Sequence, residues 1–216
     1  MAKHRRKARS LFCLIGIFAG GLLWQFGPFQ AVYAIASLSD PAKLATLGER
    51  GANPRLNKIV YWLHVADQRL VPPETAIGMA QFIHGTSDTR ASLIKESLLR
   101  NLNIARGLGL FEENNGNLLR NGKAGVITKG PYARTKVEID HIVPYSLAPE
   151  AGNELANLEM LPQELNRSKS NRVGARQLSH AEKLFSAGVI TKESLAKVRT
   201  RSRSARTDHT DKTGSR

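Results

Sequence analysis

The residues of this chain best suited to chemistry are Asp140-His141-Ile142-Val143-Pro144, followed by Asn157 and then by Asn166-Arg167-Ser168-Lys169. Metal-assisted cleavage of a phosphodiester needs a base to activate water, a divalent cation to take up charge, and cationic side chains to hold the backbone. Histidine titrates near neutrality and can accept a proton from water. Carboxylate and amide oxygens suit Mg²⁺, and ammonium groups suit phosphate. The segment carries every one of these groups.

Their positions follow from the elements around them. Lys136-Val137-Glu138-Ile139-Asp140 alternates, with Val137 and Ile139 on one side and Glu138 and Asp140 on the other, as a half-buried strand does. Asp140 then emerges at a strand end. A loop runs from Pro144 to Asn153, a short extended run follows from Leu155 to Leu161, and a helix is expected from Pro162, a residue suited to a first helical turn. On that helix Lys169 falls three residues after Asn166, on the same face.

These residues resemble the HNH, or ββα-metal, nuclease superfamily, whose pattern is an Asp-His pair, a middle Asn, and a third His or Asn on the following helix. The chain is similar to the H-N-N version over residues 120–172. The resemblance implies that His141 is the general base and that Asp140 and Asn166 hold one Mg²⁺, Mn²⁺ or other divalent cation. It implies that Asn157 fixes the loop after the first strand and that Lys169 reaches the adjacent phosphate. The reaction it implies is endonucleolytic hydrolysis of DNA, with RNA as a further substrate. Glu138 could reach the metal through water, although a strand-surface carboxylate paired with a lysine is the commoner arrangement. The cysteine zinc clip frequent in the superfamily is missing, so packing must hold the module together.

Thirty-two Lys and Arg against 18 Asp and Glu give a net charge of +14, which favours polyanionic partners. Lys123, Lys129, Arg134 and Lys136 cluster just before the motif, and Arg167 lies within it. All are candidates for the phosphate backbone, with Tyr132 able to stack a base. No helix-turn-helix or zinc finger is visible, so contacts should be non-specific and salt-dependent. A rival reading is a non-catalytic basic envelope protein that binds DNA or another anionic polymer.

The rest of the 216 residues frames this module. Lys3, Arg5, Arg6, Lys7 and Arg9 precede an apolar run over 11–24, and Ala34-Ile35-Ala36 follows a Gly27-Pro28 break. Residues 1–36 therefore read as a secretory leader cleaved after Ala36, or as an uncleaved membrane anchor over 11–36. Either places the remainder outside the cytoplasm: secreted, periplasmic or anchored. Cys13 is the only cysteine, which excludes a disulfide or a cysteine zinc site from the folded part.

Four helices are expected across 37–108, with amphipathic stripes over 55–69 and 89–106 and with His64 and His84 as structural residues. Turns and short β-like runs begin at Gly109 and open the module, 109–174. Helices follow over 175–199, including one at 175–187 and a short one after Thr191. Residues 200–216 form a basic tail expected to be disordered. The sum is an α+β chain with a helical N-terminal portion, a ββα-metal core and C-terminal helices.

Overall fold

The computed structural model describes residues 27, 29–86, 88–112, 114–169 and 172–213, with 205–213 as backbone alone. It is a helix-rich α+β arrangement. Five helices come first: α1 (Phe29–Ser39), α2 (Pro41–Ala45), α3 (Asn53–Gln68), α4 (Pro73–His84) and α5 (Asp88–Gly107). Then come α6 (Asn115–Arg120), β1 (Val137–His141), two 3₁₀ turns (Pro149–Ala151 and Leu155–Asn157), β2 (Leu158–Pro162) and α7 (Gln163–Lys169). Last are α8 (Ala175–Ser186) and α9 (Lys192–Thr213).

Prolines and a glycine set the ends of these helices. Pro54 and Pro73 each sit in a first helical turn, where the missing N–H costs nothing. Gly85 ends α4 with φ +59, a left-handed conformation natural to glycine. Leu56, Ile59, Val60 and Leu63 of α3 are fully buried, as are Leu98 and Leu102 of α5 to within 1 %. Those two stripes face each other in one continuous core.

Strands β1 and β2 pair antiparallel, with Val137 opposite Pro162 and His141 opposite Leu158. A two-stranded ribbon has two open edges and little stability of its own. Helix α5 closes the β2 edge with side chains. Asn101 donates its amide to Leu158 O (2.9 Å) and accepts from Met160 N (2.7 Å), taking the place of a third strand. Ser97 Oγ adds a bond to Leu155 O at 2.8 Å. An unsatisfied buried backbone group costs about 1–3 kcal/mol. Asn101→Ala orphans Met160 N, while Leu158 O keeps Ser97 Oγ at 3.2 Å, and is expected to lower the urea unfolding free energy by about 1–3 kcal/mol. A loss below about 0.5 kcal/mol, the level of an ordinary surface substitution, would show that the edge is not held this way.

Four differences from the sequence reading have physical causes. Residues 29–36, read as the end of a leader or anchor, belong to α1, and Ala31, Val32, Ile35 and Ala36 are buried against α3 and α4. The small apolar residues that suit a cleavage site also make a helical stripe. Residues 1–26 and 28, which carry the remainder of that reading, lie outside the described residues. Helix α6 occupies a stretch read as turn, because Asn115 exchanges two 2.8 Å hydrogen bonds with the backbone of Val126 and Leu119 is fully buried. Pro162 closes β2, and α7 begins one residue later.

The tail read as disordered instead continues α9 to Thr213. Residues 192–213 contain neither Gly nor Pro, and Ser194, Leu195, Val198 and Ser202 bury a narrow stripe that mean hydropathy does not register.

Candidate active site

His141 closes β1, and its ring is buried, at 7 % exposure. Its Nε2 lies 2.8 Å from Gly152 O. A carbonyl only accepts, so Nε2 carries the hydrogen and the neutral ring keeps its lone pair on Nδ1. Nδ1 has no hydrogen bond among the described residues, so the ring is held in a tautomer that can accept a proton there.

The loop that supplies Gly152 is tied by Asn157, which is fully buried. Its Oδ1 accepts from Val143 N at 2.9 Å, and its Nδ2 donates to Val143 O (3.1 Å) and Ala151 O (3.3 Å). One amide therefore holds both ends of the 143–151 loop.

Gly152 itself escaped the sequence reading. A Cβ there would stand 2.6 Å from the Tyr145 ring and 3.0 Å from Pro149 O, so only glycine admits Tyr145 beside His141. The two rings lie 5.8 Å apart, tilted at 42°. The available signal was a glycine placed mid-loop between two candidate residues.

Glu154 was also missed. It is buried, accepts from Arg90 of α5 at 2.5 and 3.0 Å, and caps the second 3₁₀ turn through Ala156 N. Nothing in its local sequence distinguishes it.

Beside the ring, Lys169 of α7 places its ammonium 2.5 Å from Asp140 Oδ2 and 2.5 Å from His141 O. Asp140 and Lys169 side chains are only 22 % and 15 % exposed, so this ion pair is partly shielded from water. Asn166 donates Nδ2 to Glu138 Oε2 at 2.7 Å, which leaves its own Oδ1 without a hydrogen bond. Glu138 thus orients an amide. Asp140, His141, Asn157, Asn166 and Lys169 are all brought to the strand–strand–helix unit.

The flanking cations differ among themselves. Lys129 is engaged by Glu112 at 2.6 Å, and that lysine, with Thr128, holds the Glu112 carboxyl below its usual range. Lys123, Arg134, Lys136 and Arg167 are exposed and have no acidic partner among the described residues. Tyr132 packs partly against the core.

His64, His84 and His180 are structural. His64 stacks on Phe111 with ring centroids 3.9 Å apart, and burial, aided by Arg106, lowers its pKa. His84 Nε2 donates to Ala36 O at 2.6 Å. His180 donates to Ala156 O at 3.0 Å, and burial, then the nearby Arg100, pushes its pKa down to about 4.

Among the described residues there is no cluster of three or more His, Cys, Asp or Glu that could hold a metal ion. The oxygens of Asp140 and Asn166 form a smaller set, one carboxylate already drawing a cation and one amide oxygen free. That set fits a hard cation completed by phosphate and water. Among the described residues no helix is long and apolar enough to cross a membrane.

No protein-family model, no characterised protein and no solved structure matches the chain.

Proposed function

We propose that the protein is a metal-dependent endonuclease of the HNH, or ββα-metal, type that hydrolyses the phosphodiester bonds of DNA, with RNA the alternative substrate. The observation that carries this reading is His141, whose Nε2 is tied to Gly152 O so that the neutral ring keeps its lone pair on Nδ1, next in the strand to Asp140, which pairs with Lys169.

His141 Nδ1 takes the proton of the attacking water. Asp140 and Asn166 would hold a divalent cation, Mg²⁺ or Mn²⁺, which would supply charge stabilisation to the phosphate and the leaving oxygen. Lys169 neutralises Asp140, and its ammonium would be available to an adjacent phosphate. Asn157 acts through the loop it ties. Arg134, Lys136 and Arg167 bind the backbone without reading sequence, and Lys129 joins them on leaving Glu112. The basic amino terminus and the apolar run after it favour work outside the cytoplasm, secreted, periplasmic or membrane-anchored.

Gly152→Ala probes the positioning of the base. The added methyl pushes on Tyr145 and shifts the carbonyl that orients His141. Cleavage is expected to slow about 10-fold or more, since geometry is a large part of general-base catalysis. An unchanged rate would detach the carbonyl from the mechanism. The reading as a whole is tested by cleavage of plasmid DNA with Mg²⁺ or Mn²⁺ and with EDTA.

A further inference from the structure

A cavity of about 240 Å³ lies between α5 and α8, and Ile142, the residue after His141, lines it. Arg176, His180 and Lys183 recur at helical spacing on one face of α8 and line it from that side, while Glu96 and Arg100, four residues apart, line it from α5. Behind them is Glu159, which stands opposite Asp140 in the ribbon, so that the two carboxylates project from one face. Glu159 is buried, Arg176 holds it with both Nη atoms, and Arg100 Nε lies 3.6 Å from its Oε1. Cavity and candidate active site are thus joined across the ribbon.

Two guanidiniums share this one carboxylate, and only one of them is needed to neutralise it. Lys183 lies 3.6 Å from Glu96, with both side chains exposed, and that pair cancels. His180 stays neutral, its pKa pushed down to about 4 by burial and then by Arg100. Three cations against two carboxylates leave the wall at +1. Burial lowers the Arg100 pKa even with Glu159 beside it, and Arg176 lowers it further, so this guanidinium is short of negative charge. Its Nη2 donates to Ser97 Oγ at 3.1 Å, and its Nη1 has no hydrogen bond among the described residues. Nε is its one nitrogen both unpaired and sealed from solvent, so Nη1 is within reach of a ligand.

We propose that this cavity takes a backbone phosphate of the bound nucleic acid, next to the phosphate at His141, with Arg100 Nη1, Arg176 and Lys183 as donors. Guanidinium forks match phosphate oxygens, and Arg176 keeps three of its five hydrogens after engaging Glu159. Lys183 leaves Glu96 at little cost, since an exposed ion pair contributes little. This assignment rests on the nuclease reading for its neighbouring phosphate, and it extends the contact surface from the segment before the motif to α5 and α8.

The test is fluorescence-anisotropy binding of a short labelled DNA duplex to the full chain in EDTA, over a series of KCl concentrations. Each phosphate neutralised contributes about 0.9 to the slope of log K against log salt. Lys183→Ala and Arg176→Gln are each expected to flatten the slope by about that much and to weaken binding several-fold at low salt. Arg176→Gln also takes the main partner from buried Glu159, so urea unfolding establishes that it is folded. Lys183→Ala, an exposed change, decides where it is not. In the wild type, the His180 ring resonances are expected to shift along the binding curve as duplex is added, and to stay in place with inorganic phosphate at matched phosphate concentration.

A wild-type slope in either folded variant, or a His180 ring that ignores the duplex, would overturn the proposal. An equal response to inorganic phosphate would make this a site for a small anion, and a response only to duplex carrying a 5′-phosphate would make it a site for strand ends. Either result overturns the backbone assignment. The two readings fail separately. Flattened slopes without metal-dependent cutting by the wild type remove the nuclease and keep the phosphate site, and metal-dependent cutting with unchanged slopes does the reverse.

Discussion

Replacing His141 is expected to reduce metal-dependent cleavage by about 10²–10⁴-fold, the usual contribution of a positioned general base. Two variants separate chemistry from folding. His141→Ala removes both the acceptor at Nδ1 and the donor to Gly152 O, and the orphaned carbonyl costs about 1–3 kcal/mol of stability. His141→Gln keeps a side-chain amide donor within reach of that carbonyl and offers no comparable base. Both are expected to be inactive, with the glutamine variant unfolding closer to the wild type in urea. An active glutamine variant would remove His141 from the chemistry.

The second large effect concerns the amino terminus. Deleting residues 1–26 leaves α1 intact, whereas deleting residues 1–36 removes most of it. Val32 and Ile35 are at most 3 % exposed, Ala31 and Ala36 at most 4 %, and α1 packs on both α3 and α4. Burying a valine or isoleucine contributes about 1.5–3 kcal/mol each. Three polar ties go as well: Arg69 Nη1 to Gly27 O at 3.1 Å and to Gln30 Oε1 at 3.3 Å, and His84 to Ala36 O. The longer deletion is expected to lose at least about 3–6 kcal/mol, a large share of the ~5–15 kcal/mol typical of a domain. Urea unfolding of the two truncated proteins measures the difference. Equal stability would mean that α1 is dispensable and would restore Ala36 as an unobstructed cleavage point.

The helices and the strand that end in Asp140 and His141 were legible because they rest on periodicity and on proline and glycine at their ends. Asn157 and Lys169 were singled out by the resemblance, and the structure brings both to the strand–strand–helix unit of His141. What escaped depends on contacts far apart in the chain. Asn101 is a polar residue on a helix, and only the ribbon edge beside it gives its amide a role. Gly152 matters because of Tyr145, seven residues earlier, and Glu154 because of Arg90 on another helix.

The most direct measurement is nicking of supercoiled plasmid by the full chain in Mg²⁺, in Mn²⁺ and in EDTA, beside Asn166→Ala. The account predicts cutting in either metal, none in EDTA, and a loss in Asn166→Ala that rises toward wild type as Mg²⁺ is increased. Plasmid that is retained by the protein but never cut, in any divalent ion, would contradict it and leave a basic DNA-binding protein in its place.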